Sequence, residues 1–217
     1  VGIAEANMVG IAAGLASCGY IPFVHSFAMF TAGRTYDQIR NSVAYPGLNV
    51  KVVGTHAGLT VGEDGATHQC IEDIALMRVI PGMTVVCPAD GSETRAAVHA
   101  IAEYEGPVYL RLGRLPVDTV TDISGYRFEL GKAVKLKEGH DATVIAMGML
   151  VPEALKAADI LAAQGIRVRV LNMHTVKPLD TEAVLAAAKE TGLIVTAEEH
   201  NVYGGLGSAV SEAVCAT

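Results

Sequence analysis

Two histidines and two carboxylates lie within one short glycine-rich stretch, residues 53–69. These groups are His56, Glu63, Asp64 and His68. Histidine changes its charge near neutral pH, and glycine lets the backbone approach a ligand closely. The stretch could therefore transfer protons at a bound substrate. An ordinary glycine-rich turn that caps the next helix is the alternative, and these residues alone favour neither.

The elements around this stretch predict that it is a strand-to-helix loop. The β-branched run 50–53 is typical of a buried strand, and the apolar periodicity of residues 71–80 predicts a helix. In open parallel α/β sheets, ligands bind beyond the carboxyl ends of the strands. The strand predicted at 107–112 delivers Arg114 to the same edge, where a guanidinium could bind an anion. A solvated strand terminus is the simpler interpretation of Arg114.

Glu5 is the acidic residue of an Ala- and Gly-rich segment, residues 2–16, that predicts a helix. A helix with so little polar surface is expected to be buried on most sides. A carboxylate at the start of such a helix needs a partner or a raised pKa. The alternative is a first-turn glutamate that the helix dipole favours.

Phe27 and Phe30 stand at a second strand-to-helix junction. Residues 21–26 predict a strand, and a helix is expected to open at Phe27 and run to about Tyr45. A spacing of three residues would place the two rings on one helical face. Core packing is the usual explanation of such a pair.

The composition restricts the class of protein. The 217 residues are 51% hydrophobic with a formal net charge of −7, which suits one large or two modest domains and argues against nucleic acid or anionic membranes as partners. The apolar runs are too short to span a bilayer.

The four cysteines form no metal or redox pair. They predict reduced thiols, in or near the core, of a cytoplasmic protein.

Alternation of strands and helices predicts an α/β fold with two consecutive domains, each with a mainly parallel sheet. Residues 116–126 are rich in Pro, Asp, Thr, Ser and Gly and predict a linker between domains at 1–115 and 127–217. In the second domain, a helix over residues 181–191 is expected to begin after Asp180 and to end at Gly192.

Seven stretches, in order and over almost the whole chain, resemble the C-terminal half of transketolase, specifically the separate C-terminal subunit of the split enzyme. They are GIAEANM, PFVHSFAMF, YDQIRNSVAYPGLNVKVVGTHAGLTVGEDGATHQ, MTVVCPAD, VYLRLGR, VKPLD and EEHNVYGGLGSAV. The resemblance implies a thiamine diphosphate enzyme that moves a two-carbon ketol unit from a ketose phosphate to an aldose phosphate. It also implies a pyrimidine-binding domain followed by the transketolase C-terminal domain.

The same resemblance implies roles for individual residues. Glu5 matches the glutamate that hydrogen-bonds the aminopyrimidine ring of the cofactor, so that the cofactor acts as its own base. Phe27 and Phe30 match the aromatic wall against that ring. The implied substrate-binding residues are His56 and His68, which are also implied in catalysis, Asp64, which reads a donor hydroxyl, and Arg114, which takes the sugar phosphate.

Some parts of the family pattern are not found. The Gly-Asp-Gly…Asn motif for metal and diphosphate is absent, because Glu63-Asp64-Gly65 belongs to the substrate loop. The resemblance thus implies that Mg²⁺ is held by an N-terminal partner subunit, in a heterotetramer built on a dimeric core. The family's strand before GIAEANM and the end of its C-terminal domain are also expected to be missing. Gly33 lies where full-length enzymes place a third aromatic.

Other functions remain open from the sequence. The enzyme 1-deoxyxylulose-5-phosphate synthase and the β subunits of 2-oxo-acid dehydrogenases share the architecture, and YDQIRNSVAY and GEDGATHQ also resemble the synthase. A non-catalytic scaffold subunit with the same fold is a further alternative. A Ser26–His25 hydrolase finds no support, because adjacent strand residues point to opposite faces.

Overall fold

The first of two α/β units is built on a five-stranded sheet. In the computed structural model, which describes residues 1–216, the strand order is β1-β2-β4-β3-β8, in which β8 is Thr175–Lys177. Four strands are mutually parallel: β1 (Phe23–Phe27), β2 (Lys51–Thr55), β3 (Thr84–Val86) and β4 (Val108–Arg111). The helices are α1 (Glu5–Ser17), α2 (Tyr36–Gln38), α3 (Asp73–Val79) and α4 (Gly91–Glu103). Wider, π-type turns at Met29–Arg34 and Ile39–Ala44 flank α2.

The second unit has a four-stranded sheet of order β5-β7-β6-β9, in which β5 is antiparallel and the others are parallel. Its strands are β5 (Val134–Lys137), β6 (Ala142–Ala146), β7 (Val168–Asn172) and β9 (Ile194–Ala197). Its helices are α5 (Leu150–Ala162), α6 (Thr181–Thr191) and α7 (Leu206–Cys215). The prediction of two mainly parallel α/β units is confirmed.

Helix α6 has the termini that the sequence predicts. The Asp180 carboxylate accepts a hydrogen bond from the Ala183 N–H at 3.1 Å, which satisfies one of the free amides of the first turn. The helix ends where Gly192 adopts a left-handed conformation with φ of 69°.

Strand β8 (Thr175–Lys177) was not anticipated, and it crosses between the units. It lies between β7 and α6 in sequence, yet it pairs antiparallel with β3 of the first sheet. The Lys177 ammonium adds hydrogen bonds of 2.7 and 2.5 Å to the carbonyls of Arg78 and Ile80. A run of three residues is too short to show a periodicity, and its pairing partner lies far away in sequence.

Buried carboxylates at α4 also join the units. Asp90 caps α4 by accepting from the Glu93 N–H at 2.9 Å. The Glu93 carboxylate accepts from the Asn172 side chain at 2.8 Å and from the Tyr126 hydroxyl. Burial is the largest influence on the Glu93 carboxyl and raises its pKa. The irregular segment after β4 is thereby fixed against α4, because Asp90 also accepts from the Thr121 hydroxyl at 2.7 Å.

Helix α1 is not buried on most sides, contrary to the expectation from its composition. Its buried residues are Glu5, Val9, Ala12 and Ala13. On the opposite face Ile11 and Leu15 are 44% and 43% exposed, and Ile21 and Phe23, which follow the helix in sequence, are also exposed. Composition does not distinguish a face that packs within the chain from one left open to a partner.

The other expectations about burial had mixed outcomes. All four cysteines are free, but Cys18 and Cys215 are exposed, whereas Cys70 and Cys87 are buried. The prediction that all four lie in or near the core was therefore wrong for two of them. Within residues 1–216, no helix has both the length and the apolar character needed to cross a bilayer.

His174 generates a testable pH dependence of stability. Its ring stacks on Phe128 with centroids 4.2 Å apart, and burial lowers its pKa to about 4, although Asp180 opposes this. The folded pKa is below the ordinary value of about 6.5, so the unfolded chain takes up the proton first and stability falls between these pH values. We expect this histidine to lower the free energy of unfolding by about 2 kcal/mol between pH 7.5 and 5.0.

Urea unfolding at the two pH values measures this effect. His174→Gln should remove this part of the pH dependence, whereas the control His140→Gln should retain it, because the side chain of His140 is 76% exposed. An unchanged pH dependence in His174→Gln would contradict the assignment.

Candidate active site

The predicted site residues come together at the carboxyl edge of the first sheet. Strands β1, β2 and β4 are parallel and in register, so that Phe27 pairs with Thr55 and Gly54 pairs with Arg111. The residues that follow these strands therefore emerge side by side. They include His56 after β2 and Arg114 after β4, as the strand directions predict.

Four rings form one cluster at this edge. Phe27 and His56 stack with centroids 4.0 Å apart and an interplanar angle of 9°. Phe27 and Phe30 lie 6.0 Å apart, nearly parallel, and the His68 ring meets Phe30 edge-on at 5.1 Å. The expectation that Phe27 opens a helix was wrong, because it is the last residue of β1. The two phenylalanines meet across the strand-to-helix junction rather than along one helical face.

Both histidines of the cluster are oriented by the preceding threonine. His56 Nδ1 lies 3.0 Å from Thr55 Oγ1, and His68 Nδ1 lies 2.9 Å from Thr67 Oγ1. His56 has a left-handed backbone with φ of 56°, which is uncommon for a residue other than glycine. With Nδ1 engaged, Nε2 of each imidazole is the nitrogen suited to exchange a proton with a ligand.

Glu5 is buried beside the ring cluster and has a partner. Arg34 Nη1 donates to Glu5 Oε2 at 3.0 Å. The Glu5 backbone amide and the Arg34 guanidinium together lower the pKa of the Glu5 carboxyl, although burial opposes them. Of the two possibilities raised from the sequence, the partner rather than the raised pKa is found.

Arg34 was missed by the sequence analysis, although it connects Glu5 to the rings. Its Cζ atom lies 4.5 Å from the centroid of Phe30, within the range of a cation–π contact. The available signal was a cation one helical turn after Phe30. Next to it, Gly33 stands where a third aromatic was expected, and the methyl end of Met29 fills the place of a Gly33 side chain.

Asp64 and Arg114 form the exposed end of the site. Arg114 Nη1 donates to Asp64 Oδ2 at 2.9 Å, and the same nitrogen donates to the Val61 carbonyl. The two side chains are 39% and 34% exposed. Exposed ion pairs are worth little, so the guanidinium can exchange its partner for an anionic ligand at small cost.

A buried ion pair supports the far end of the loop, and the sequence analysis did not identify it. Arg111 Nε donates to Asp73 Oδ2 at 2.8 Å, and the Tyr109 hydroxyl donates to the same oxygen at 2.8 Å. Arg111 Nη2 also donates to the Glu199 carbonyl at 2.8 Å. In residues 1–216, no cluster of three or more His, Cys, Asp or Glu side chains could hold a metal ion.

Comparison with known families explains this arrangement. The model described as "Transketolase, pyrimidine binding domain" matches residues 1–118, and "Transketolase, C-terminal domain" matches residues 131–216. This chain belongs to the transketolase family. The first model covers the unit that holds the ring cluster, Glu5, Asp64 and Arg114.

Relatives within the family include proteins named as a transketolase subunit and as a transketolase C-terminal section. The chain is 55% identical to "6-deoxy-6-sulfo-D-fructose transketolase subunit SqwH" of Clostridium sp. (strain MSTE9), over 98% of this chain and 66% of that protein. It is 50% identical to "Putative transketolase C-terminal section" of Methanocaldococcus jannaschii, over 98% of this chain and 67% of that protein. The chain therefore spans about two thirds of the length of these relatives.

A solved structure gives the same result. The chain superimposes on "Split gene transketolase, inactive beta4 tetramer" with a TM-score of 0.93 at 53% identity, covering 100% of this chain and 70% of that one. The transketolase-family chain thus has both the sequence and the fold of the C-terminal part of split transketolases.

The residues at this site fit the aminopyrimidine ring that gives the first domain of the family its name. A flat aromatic heterocycle stacks well on phenylalanine and histidine faces. A buried carboxylate is a strong acceptor for its N–H groups. The chain offers both, in the ring cluster and in Glu5, and Arg34 spans the distance between them.

The Glu5–Arg34 pair generates a prediction about titration. Arg34→Gln should raise the pKa of the Glu5 carboxyl, because it removes the nearby positive charge while burial continues to disfavour the carboxylate. Carbon-13 NMR of labelled glutamate carboxyls measures the shift. Arg40→Gln is the matched control, because Arg40 lies on the same segment and donates to Asn41. A Glu5 pKa that is equal in Arg34→Gln and in the unmodified chain would refute the assignment.

Proposed function

We propose that this chain is the C-terminal subunit of a split transketolase, which transfers a two-carbon ketol unit between sugar phosphates with thiamine diphosphate and acts together with an N-terminal partner subunit. The observation that carries the proposal is the buried Glu5 carboxylate, joined through Arg34 to the cluster formed by Phe27, Phe30, His56 and His68. This combination suits a heterocycle that must be stacked and hydrogen-bonded at once.

Glu5 is the group that binds and orients the aminopyrimidine. Bound thiamine diphosphate supplies the nucleophilic thiazolium carbon used throughout the family. Glu5 holds a proton at a ring nitrogen of the pyrimidine, and its lowered pKa keeps it ionised and ready to accept that hydrogen bond. Phe27 and Phe30 exclude water from the ring and fix its plane.

The remaining site residues act on the substrate. His56 and His68 move protons to and from substrate hydroxyls, since their Nε2 atoms are available for this exchange. Asp64 accepts a hydrogen bond from a donor hydroxyl, and Arg114 binds the phosphate at the far end of the sugar. In this proposal the substrate separates the Asp64–Arg114 pair, which is exposed enough to open readily.

The partner subunit supplies what this chain lacks. The metal and diphosphate motif is absent from the sequence, so we assign Mg²⁺ and the diphosphate to the N-terminal subunit. The exposed apolar side chains of Ile11, Leu15, Ile21 and Phe23 support a dimeric core in a heterotetramer. The similar split-gene protein is described as an inactive tetramer of β chains, which agrees with a chain that self-associates but needs its partner for turnover.

An assay of the reconstituted enzyme tests the proposal. This chain, alone and mixed with a transketolase N-terminal subunit, is titrated with thiamine diphosphate and Mg²⁺ by calorimetry and assayed for ketol transfer from xylulose 5-phosphate. We expect turnover in the mixture only. Glu5→Gln should reduce turnover by about 10²–10⁴-fold, because it removes the group that holds the pyrimidine proton.

The controls separate the alternatives. Glu153→Gln alters an exposed glutamate paired with Lys156 and should leave both activity and assembly intact. A mixture that assembles but neither binds cofactor nor turns over would replace the proposal with a scaffold subunit. Turnover with pyruvate in place of xylulose 5-phosphate would instead identify a synthase-like enzyme.

Arg114 generates a second prediction, about donor recognition. Arg114→Met should lower kcat/KM for xylulose 5-phosphate by about 10–100-fold, because a charge-assisted hydrogen bond to the phosphate is lost. Erythrulose, a ketose without a phosphate, should be affected little. An equal loss with both donors would show that Arg114 supports the loop rather than the phosphate.

A further inference from the structure

The substrate loop, residues 56–69, is held at its centre by the second unit of the chain. Thr60 donates its backbone N–H to Glu199 Oε1 at 2.6 Å and its hydroxyl to Glu199 Oε2 at 3.1 Å. Glu199 follows strand β9, whereas Thr60 lies in the short 3₁₀ segment Leu59–Asp64. The two oxygens of one carboxylate thus accept hydrogen bonds from one loop residue, 139 positions away in sequence.

The loop backbone is shaped to receive this carboxylate. Gly58 has φ of 88°, and a Cβ atom at this position would overlap the carboxyl group of Glu199. The glycine therefore serves both the turn and the close approach of Glu199. Glu199 itself is 8% exposed, so its charged hydrogen bonds to Thr60 are shielded from water.

Glu199 is itself fixed by the first unit. Arg111 Nη2 donates to the Glu199 carbonyl at 2.8 Å, and the Asn201 side chain donates to the Ile71 carbonyl at 2.7 Å. The neighbouring Glu198 acts differently, because its carboxylate accepts from the N–H groups of Leu206 and Gly207 and caps α7 within its own unit. Two adjacent glutamates of the same type therefore serve separate purposes.

The contact between Glu199 and Thr60 lies between loop residues that bind the substrate in the proposed function. His56 lies four positions before Thr60, and Asp64 lies four positions after it. The tip of the loop is otherwise exposed, with Gly62, Glu63 and Asp64 all open to solvent. A support at Thr60 limits how far His56 and Asp64 can move relative to Phe27 and Phe30.

We propose that Glu199 is a positioning residue for the substrate loop, acting through Thr60 to hold His56 and Asp64 in place for ketol transfer. This inference rests on the proposed function for its catalytic consequence. Its structural consequence, an ordered loop, depends only on contacts within this chain and can be tested without the partner subunit. The second unit, which touches no reacting atom in the proposed mechanism, thus contributes to the geometry of the site.

The first experiment needs no activity. Hydrogen–deuterium exchange of the whole chain, followed by mass spectrometry, should show faster exchange in peptides covering residues 56–69 of Glu199→Ala than in the unmodified chain. Glu199→Gln retains an acceptor for the Thr60 amide and should restore most of the protection. Equal loop exchange in all three proteins would overturn the proposal, whatever the enzyme does.

The second experiment uses the reconstituted complex and separates positioning from folding. In Glu199→Ala we expect kcat/KM for xylulose 5-phosphate to fall by about 10²-fold, the loss typical of a misplaced catalytic geometry. Thiamine diphosphate affinity should fall far less than kcat/KM, because Glu5, Phe27 and Phe30 lie on other elements and only His56 and His68 of the ring cluster lie on the loop. Thr60→Val, which removes the hydroxyl but keeps the amide, should lose less, and Glu199→Gln should recover activity.

Two comparisons distinguish a positioning role of Glu199 from a general loss of folding and from failure of the proposed function. Glu198→Gln makes the same charge change one residue away and should alter thermal stability without a selective loss of kcat/KM. A loss of cofactor affinity or of folding in Glu199→Ala, in proportion to its loss of activity, would overturn the positioning role. Absence of ketol transfer in the unmodified complex would instead overturn the proposed function and leave the exchange result as the test of Glu199.

Discussion

A buried arginine holds the two units of this chain against one another beneath the substrate loop. Arg111 ends β4 with 5% of its surface exposed, and a guanidinium in that position is very costly unless its N–H groups find acceptors. Asp73 supplies the opposite charge, and the carbonyls of Cys70 and Glu199 accept further hydrogen bonds. Asp73 raises the pKa of Arg111 against burial, so the positive charge is permanent. Cys70, at the end of the loop, and Glu199, from the second unit, are consequently fixed relative to the sheet.

This arrangement makes the loop rigid at its base and open at its tip. At the base, Gly58 and Cys70 are bridged, with the Gly58 N–H donating to the Cys70 carbonyl at 2.8 Å. At the tip, Asp64 meets Arg114 in an exposed ion pair of low net stability. A ligand can thus displace contacts at the tip without disturbing the buried charges. In the proposed function this division would let the site admit a substrate while its histidines stay oriented.

Much of the fold follows from local patterns, whereas the connections across it do not. The alternation of strands and helices and the termini of α6 are set by neighbours in sequence, and so the sequence predicts them. Strand β8 and the open face of α1 depend on distant partners, which periodicity does not report. Within the site, the resemblance to transketolase supplies Glu5, the two phenylalanines and the two histidines, but not the stacking of the four rings. Arg34 and Glu199 also act through tertiary contacts. Their only local signals are a cation one turn after Phe30 and a carboxylate just beyond a strand.

The Glu5–Arg34 pair keeps a buried carboxylate ionised, which in the proposed function precedes a hydrogen bond to the uncharged aminopyrimidine ring. Glu5 is buried, whereas the Arg34 side chain is 52% exposed. Breaking the ion pair would therefore leave the Glu5 carboxylate without its charged partner, but the Arg34 guanidinium could bind water. If the Glu5–Arg34 hydrogen bond breaks, a ring that hydrogen-bonds Glu5 replaces it for the carboxylate, and water replaces it for the guanidinium. Neither charge is then left buried and unpaired, which is the costly outcome. In the proposed function, the exposure of Arg34 would let Glu5 be ionised before cofactor binding and hydrogen-bonded to the cofactor after it.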